Sequence, residues 1–141
     1  VSGGSGIDIK DLDFSNETVN DTQKKIVAVA TNSAKYGISA RSGYCQAWVA
    51  DVYQAVTGSR GSAHCALCAA DMWAVSSDWS KIPVGAAIYG YSSSKYGHVG
   101  IYIGNGMVAH NIGYIKIEPI EDWIKTYKGF AWGWENGYIK E

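Results

Sequence analysis

Gly97-His98-Val99-Gly100-Ile101-Tyr102-Ile103-Gly104-Asn105-Gly106-Met107-Val108-Ala109-His110 is the stretch that decides the fold. Residues 98–103 alternate and carry β-branched side chains, which fits a strand. Asn105-Gly106 is a two-residue signature of a primed hairpin turn, in which both positions need positive φ. Residues 107–110 return as the partner strand. Counting outward from the turn pairs Gly104 with Met107, Ile103 with Val108, Tyr102 with Ala109 and Ile101 with His110. On that register the two histidines are offset by three residues but lie near one end of the hairpin.

Downstream of the hairpin, Gly113 opens another turn and residues 114–118 read as a further strand. Pro119 suits the first turn of a short helix over about 120–127, since its missing N–H has no helical partner there anyway. Residues 130–134 complete the β-rich half. Upstream, residues 84–91 read as a strand, and three helices come before it. Asn20 with Gln23 forms a capping-box pattern, and Ile26, Val27, Ala30 and Ala34 repeat at helical spacing, predicting a helix over 21–35. A second helix runs over 45–57, closed by Gly58. A third covers 63–76. Helices first and an antiparallel meander afterwards argue an α+β domain, with the helices on one face of the sheet.

The 141 residues make one domain at about 150 residues each. Residues 1–17 read as a linker or lead-in, and Val1-Ser2-Gly3-Gly4-Ser5-Gly6 as an excision scar or linker end; 18–141 form the folded domain. Lys and Arg total 12 against 13 for Asp and Glu, a formal charge of −1. This balance argues against a nucleic-acid partner. No apolar run approaches the roughly 18 residues of a membrane-spanning helix.

Three residues carry the chemistry. Cys45 stands at a predicted helix start, where unpaired backbone N–H groups favour an anion and are expected to lower the thiol pKa. His98 and His110 lie on adjacent strands. A cysteine, a base and an orienting group are the parts of a nucleophilic centre. Taken singly, each has an ordinary reading: free cysteines are commonly buried and inert, and strand histidines are commonly surface residues.

The hairpin with its histidine pair resembles the second half of the NlpC-type cysteine peptidase domain, a papain-like family that cuts bacterial cell-wall peptides. Cys45-Gln46-Ala47-Trp48-Val49-Ala50-Asp51-Val52-Tyr53 resembles that family's nucleophile helix, and Ile82-Pro83-Val84-Gly85-Ala86 its strand entry before the histidine. The order Cys, His, His is the family's order. The resemblance implies Cys45 as nucleophile, His98 as general base and acid, and His110 as the group that orients His98. It also implies Tyr36 at the oxyanion position, with the Cys45 backbone N–H as a further donor. Tyr44 and Gln46 replace the family's usual aspartate and serine around the cysteine, and beside the nucleophile they become candidates for the substrate cleft. The related CHAP-type domains use an acidic residue or asparagine in third place, so Asn111, next to His110, keeps that assignment open.

The resemblance further implies an endopeptidase acting on peptidoglycan stems or cross-bridges without metal or organic cofactor. It would be secreted, held in the cell wall or delivered by phage, beside a separate cell-wall-binding module. An N-acetylmuramoyl-L-alanine amidase is the alternative within the same chemistry. An inactive wall-binding module and a thioester acyltransferase are the alternatives outside it.

His64-Cys65-x-x-Cys68 reads first as small packing residues on an alanine-rich helix. A redox pair and half of a zinc set rank behind, and export would permit a disulfide. The six tryptophans read as core, with one or two of Trp79, Trp132 and Trp134 bordering the groove. Glu121 and Asp122 suit a helix N-terminus, and Glu118 is grouped with them rather than with any glycosidase pair.

Overall fold

The computed structural model describes residues 19–138. The lead-in over 1–17 lies outside them. Helix α1 covers Asp21–Thr31, α2 Cys45–Thr57, α3 Ala66–Trp73 and α4 Ile120–Tyr127. The strands are β1 Ala74–Ser76, β2 Ala87–Gly90, β3 His98–Gly104, β4 Met107–Asn111, β5 Ile115–Pro119 and β6 Ala131–Gly133. All pairings are antiparallel, in the order β1-β6-β2-β3-β4-β5.

The capping box at α1 forms as the sequence indicates: Asn20 Oδ1 accepts from the Gln23 N–H at 2.8 Å, and Gln23 Oε1 accepts from the Asn20 N–H at 2.9 Å. The helix stops at Thr31 rather than at 35. Thr31 Oγ1 and Asn32 Nδ2 turn back onto the Val27 and Ala28 carbonyls, a local competition that ends regular helix. A 3-10 turn, Ser33–Tyr36, follows and closes on Gly37.

The third helix is shorter than expected at both ends. Cys65 is its extended N-cap, and 74–76 leave it as edge strand β1. Gly133 makes that pairing close: a Cβ there would lie 2.1 Å from the Trp73 carbonyl oxygen. The meander is also interrupted. It runs β2 to β5, but α4 carries the chain back across the sheet, so β6 enters between β1 and β2.

Side chains leave alternate faces of a strand, and the core splits accordingly. Ala87, Tyr89, Val99, Ile101 and Ala109 pack against Ile26, Val49, Val52 and the rest of α1–α3. Ile88, Tyr102 and Val108 pack on the other face against Ile120, Trp123 and Ile124 of α4. The N-terminal helices thus share one face, as the sequence predicts, whereas α4 covers the opposite one.

Candidate active site

The hairpin turn forms with Asn105 and Gly106 both at positive φ, 53° and 75°. Gly104 pairs with Met107, but Tyr102 then pairs with Val108 and Ile101 with Ala109. Ile103 is the extra residue, a bulge that shifts the register by one from the sequence count. A one-residue shift moves a strand's side chains to the other face. It brings His110 across from Gly100 and onto the face that His98 occupies. The rings meet, with His98 Nε2 2.8 Å from His110 Nδ1. Gly100 leaves room for this, since a Cβ there would come within 3.1 Å of the His110 Cβ.

The polar chain continues to Glu118, a residue that the sequence alone groups with the start of the last helix. His110 Nε2 lies 2.5 Å from Glu118 Oε2. Glu118 is on β5, where Lys116 is the direct partner of His110 and Glu118 faces Val108. Lys116 and Glu118 therefore share the face of His110. The two-residue period of this strand, laid against β4, is the signal that could have revealed Glu118. One proton arrangement satisfies every contact: His110 Nε2–H donates to the Glu118 carboxylate, and His98 Nε2–H donates to His110 Nδ1. It leaves His98 Nδ1 bare as an acceptor.

Aromatic rings enclose the pair. Tyr127 stacks on His98 with centroids 4.1 Å apart and planes 24° apart, and Trp123 lies against both imidazoles. Burial, followed by the charge of His110, lowers the His98 pKa to about 3. Burial also lowers that of His110, against the opposing pull of Glu118. His98 is thus held neutral.

Cys45 begins α2, and Tyr44 supplies no side-chain cap, so the first N–H groups of the helix have no internal partner. Burial raises the Cys45 thiol pKa; the N–H groups of Val99, Gln46 and Cys45 itself act in the opposite direction without overcoming it. This corrects the expectation of a lowered thiol pKa. The helix start is present, but desolvation is the larger effect. The resting pair is a neutral thiol and a neutral imidazole.

The loop before Cys45 is tied to the sheet by Asn111, whose Nδ2 donates to the Arg41 carbonyl at 2.8 Å and to that of Tyr44 at 3.4 Å. Asn111 is occupied in this way, while His110 makes the contact to His98. Gln46 is anchored from below. Its Nε2 donates to Glu135 Oε1 at 2.6 Å, and Tyr89 donates its hydroxyl to Glu135 Oε2 at 2.7 Å. Glu135 is fully buried, and that burial raises its pKa to about 7.

Cys45 and His98 open into one cleft of about 590 Å³, whose walls include Tyr44, Gln46, His64, Tyr96 and Tyr127. That is ample for a short peptide or other small ligand. Tyr36 is not among the lining residues; it ends the 3-10 turn after α1 with its side chain exposed. No tryptophan lines this cleft either. Trp79, Trp123 and Trp132 are packed in the core around α4. Cys65 and Cys68 are joined in a disulfide, which corrects the packing reading. With Cys65 outside the helix as its cap, the two Cα atoms are 5.0 Å apart, within bridging reach. Among the described residues, no group of three or more His, Cys, Asp or Glu could hold a metal ion.

Helices packed on a six-stranded antiparallel sheet give the chain an α+β fold of the NlpC/P60 type. Among solved structures it is similar to an NlpC/P60 family protein from Bacillus cereus ATCC 10987, with a TM-score of 0.56 and 15% identity. The match covers 89% of this chain and 43% of the other, so the chain spans less than half that protein's length. No protein-family model and no curated protein sequence matches.

Proposed function

We propose that the protein is a cysteine peptidase that hydrolyses the peptide part of bacterial peptidoglycan. The observation that carries the reading is the shared cleft of Cys45 and His98, with His98 backed by His110 and Glu118. The fold likeness to an NlpC/P60 family protein supports the same class.

In this reading the substrate carbonyl enters the cleft above Cys45. The thiol proton passes to His98 Nδ1 as sulfur attacks, because both groups start neutral. The imidazolium that forms is stabilised through His110 by the Glu118 carboxylate and by the Tyr127 ring beneath it. Backbone N–H groups at the start of α2 hold the oxyanion. His98 then gives its proton to the leaving amine, and the thioester that remains is hydrolysed by a water that His98 deprotonates. The cell wall is the proposed site of action, beside a wall-binding module.

Mass spectrometry of fragments released from purified peptidoglycans tests this, with Cys45→Ala beside the parent. Release by the parent alone supports the cysteine mechanism. A cut inside the stem or bridge marks an endopeptidase, and a stem peptide freed at its alanine N-terminus marks an amidase. No release from any wall type overturns the proposal.

A further inference from the structure

The Cys65–Cys68 disulfide takes no part in the proposed chemistry, yet it borders the same cleft. His64, Cys65 and Ala66 line the cavity that holds Cys45 and His98. Cys65 is the N-cap of α3, and its Sγ accepts the Cys68 N–H at 3.0 Å. The first turn of α3 is thus fixed both by its cap and by the covalent bridge.

That turn is coupled to the base. The Leu67 N–H, between the two cysteines, donates to the Tyr96 carbonyl at 3.0 Å. The Leu67 side chain packs against Gly97 so closely that a Cβ on the glycine would lie 2.7 Å from Leu67 Cγ. Tyr96-Gly97 leads directly into His98. Gly97 holds a positive φ of 76°, and as a glycine it leaves the backbone free to readjust once the Leu67 contact shifts. Cys68 is exposed, which gives a soluble thiol access to the bridge.

We infer that the Cys65–Cys68 disulfide is a redox-responsive brace of the cleft, opened by a dithiol reductant with loss of turnover. The effect on turnover rests on the hydrolase reading above. In the reaction, a thiolate of the dithiol attacks one disulfide sulfur, and the S–S bond breaks. The other sulfur leaves as a thiolate and takes a proton. The second thiol of the reductant then attacks the mixed disulfide and releases the remaining cysteine. Two electrons pass to the protein, and the reductant closes to its own disulfide. The first turn of α3 is then held by hydrogen bonds alone, and the Leu67–Tyr96 contact that steadies the approach to His98 loosens.

The test uses wild type and Cys65→Ser/Cys68→Ser, each with and without a dithiol. Alkylation followed by intact-mass measurement should count one free thiol in untreated wild type and three after treatment. Hydrogen exchange at the Leu67 amide, which needs no turnover, should quicken several-fold on reduction. The kcat/KM for wall-peptide hydrolysis should fall about tenfold, the scale of a small misplacement of a catalytic group. It should reach the level of the double variant, which should not respond to dithiol. Three free thiols in air-oxidised wild type, unchanged Leu67 exchange, or reduced wild type at least as active as oxidised wild type would each overturn the brace. Should neither state hydrolyse any substrate, the hydrolase reading fails on its own, and the thiol count with Leu67 exchange still decides the brace.

Discussion

His98 and His110 share one face of the sheet because Ile103 is an extra residue in β3 with no partner in β4. Without the bulge at Ile103, the Asn105-Gly106 turn would set His110 opposite Ile101, facing away from His98. With it, His110 lies across from Gly100 and its Nδ1 is 2.8 Å from His98 Nε2.

Gly100→Ala should therefore damage the histidine pair from behind. The new Cβ would meet Val108 Cγ1 at 3.0 Å and His110 Cβ at 3.1 Å. Overpacking of this kind costs about 1–3 kcal/mol. Denaturant unfolding should show that loss, and kcat/KM should fall with it as His110 moves.

Glu118→Gln should lower kcat/KM by about a hundredfold, within the range attributed to general acid–base catalysis. The variant keeps the shape but no longer supplies a carboxylate to the proton chain through His110. Circular dichroism should remain that of the parent. Activity within about threefold of the parent would remove Glu118 from the relay.

Tyr127→Leu should cost roughly tenfold in kcat/KM, whereas Tyr127→Phe should stay within about threefold. The ring face, not the hydroxyl, is what lies 4.1 Å from the His98 centroid, and a ring is worth about 1–2 kcal/mol to a partly desolvated cation. Equal losses in both variants would point to the hydroxyl instead.

Tyr36→Phe should leave the kinetics unchanged. Resemblance assigns Tyr36 to the oxyanion, but the residue is 54% exposed and does not line the cleft. Steady-state rates for the variant and parent would decide between the two.

Much of this architecture could be read from local sequence. Asn20 and Gln23 announce the start of α1, Cys45 the start of α2, and Asn105-Gly106 the turn, because each depends on chemistry within a few residues. What could not be read depends on distant partners. Gly104 beside Ile103 is a local hint of the bulge, but the residues before it alternate as a regular strand would. The insertion of β6 beside β1 is set by the reach of α4 and by the bare Gly133. Glu118 looks like part of a helix start until β5 is laid against β4. The Cys45 thiol shows a related limit: the helix start is visible in sequence, while the burial that outweighs it belongs to the assembled core.

Glu135 and His98 should oppose each other in the pH dependence of stability. His98 has a folded pKa of about 3 against an ordinary 6.5. Between those values the unfolded chain binds a proton that the folded one does not, so stability falls as pH falls. Glu135 has a folded pKa of about 7 against an ordinary 4.5. Over that interval the folded chain holds the extra proton, so its contribution is lost as pH rises. From pH 4.5 to 6.5 the two slopes have opposite signs. Glu135→Gln removes one of them and leaves the other. Relative to wild type, the variant should gain stability with rising pH at about 1.4 kcal/mol per unit across that window. At roughly 2–4 °C per kcal/mol for a chain of this size, the difference in Tm between variant and parent should widen by about 5–10 °C. Thermal melts of both proteins at half-unit steps measure it. Parallel Tm curves would mean that Glu135 is already ionised beneath Gln46 throughout the range.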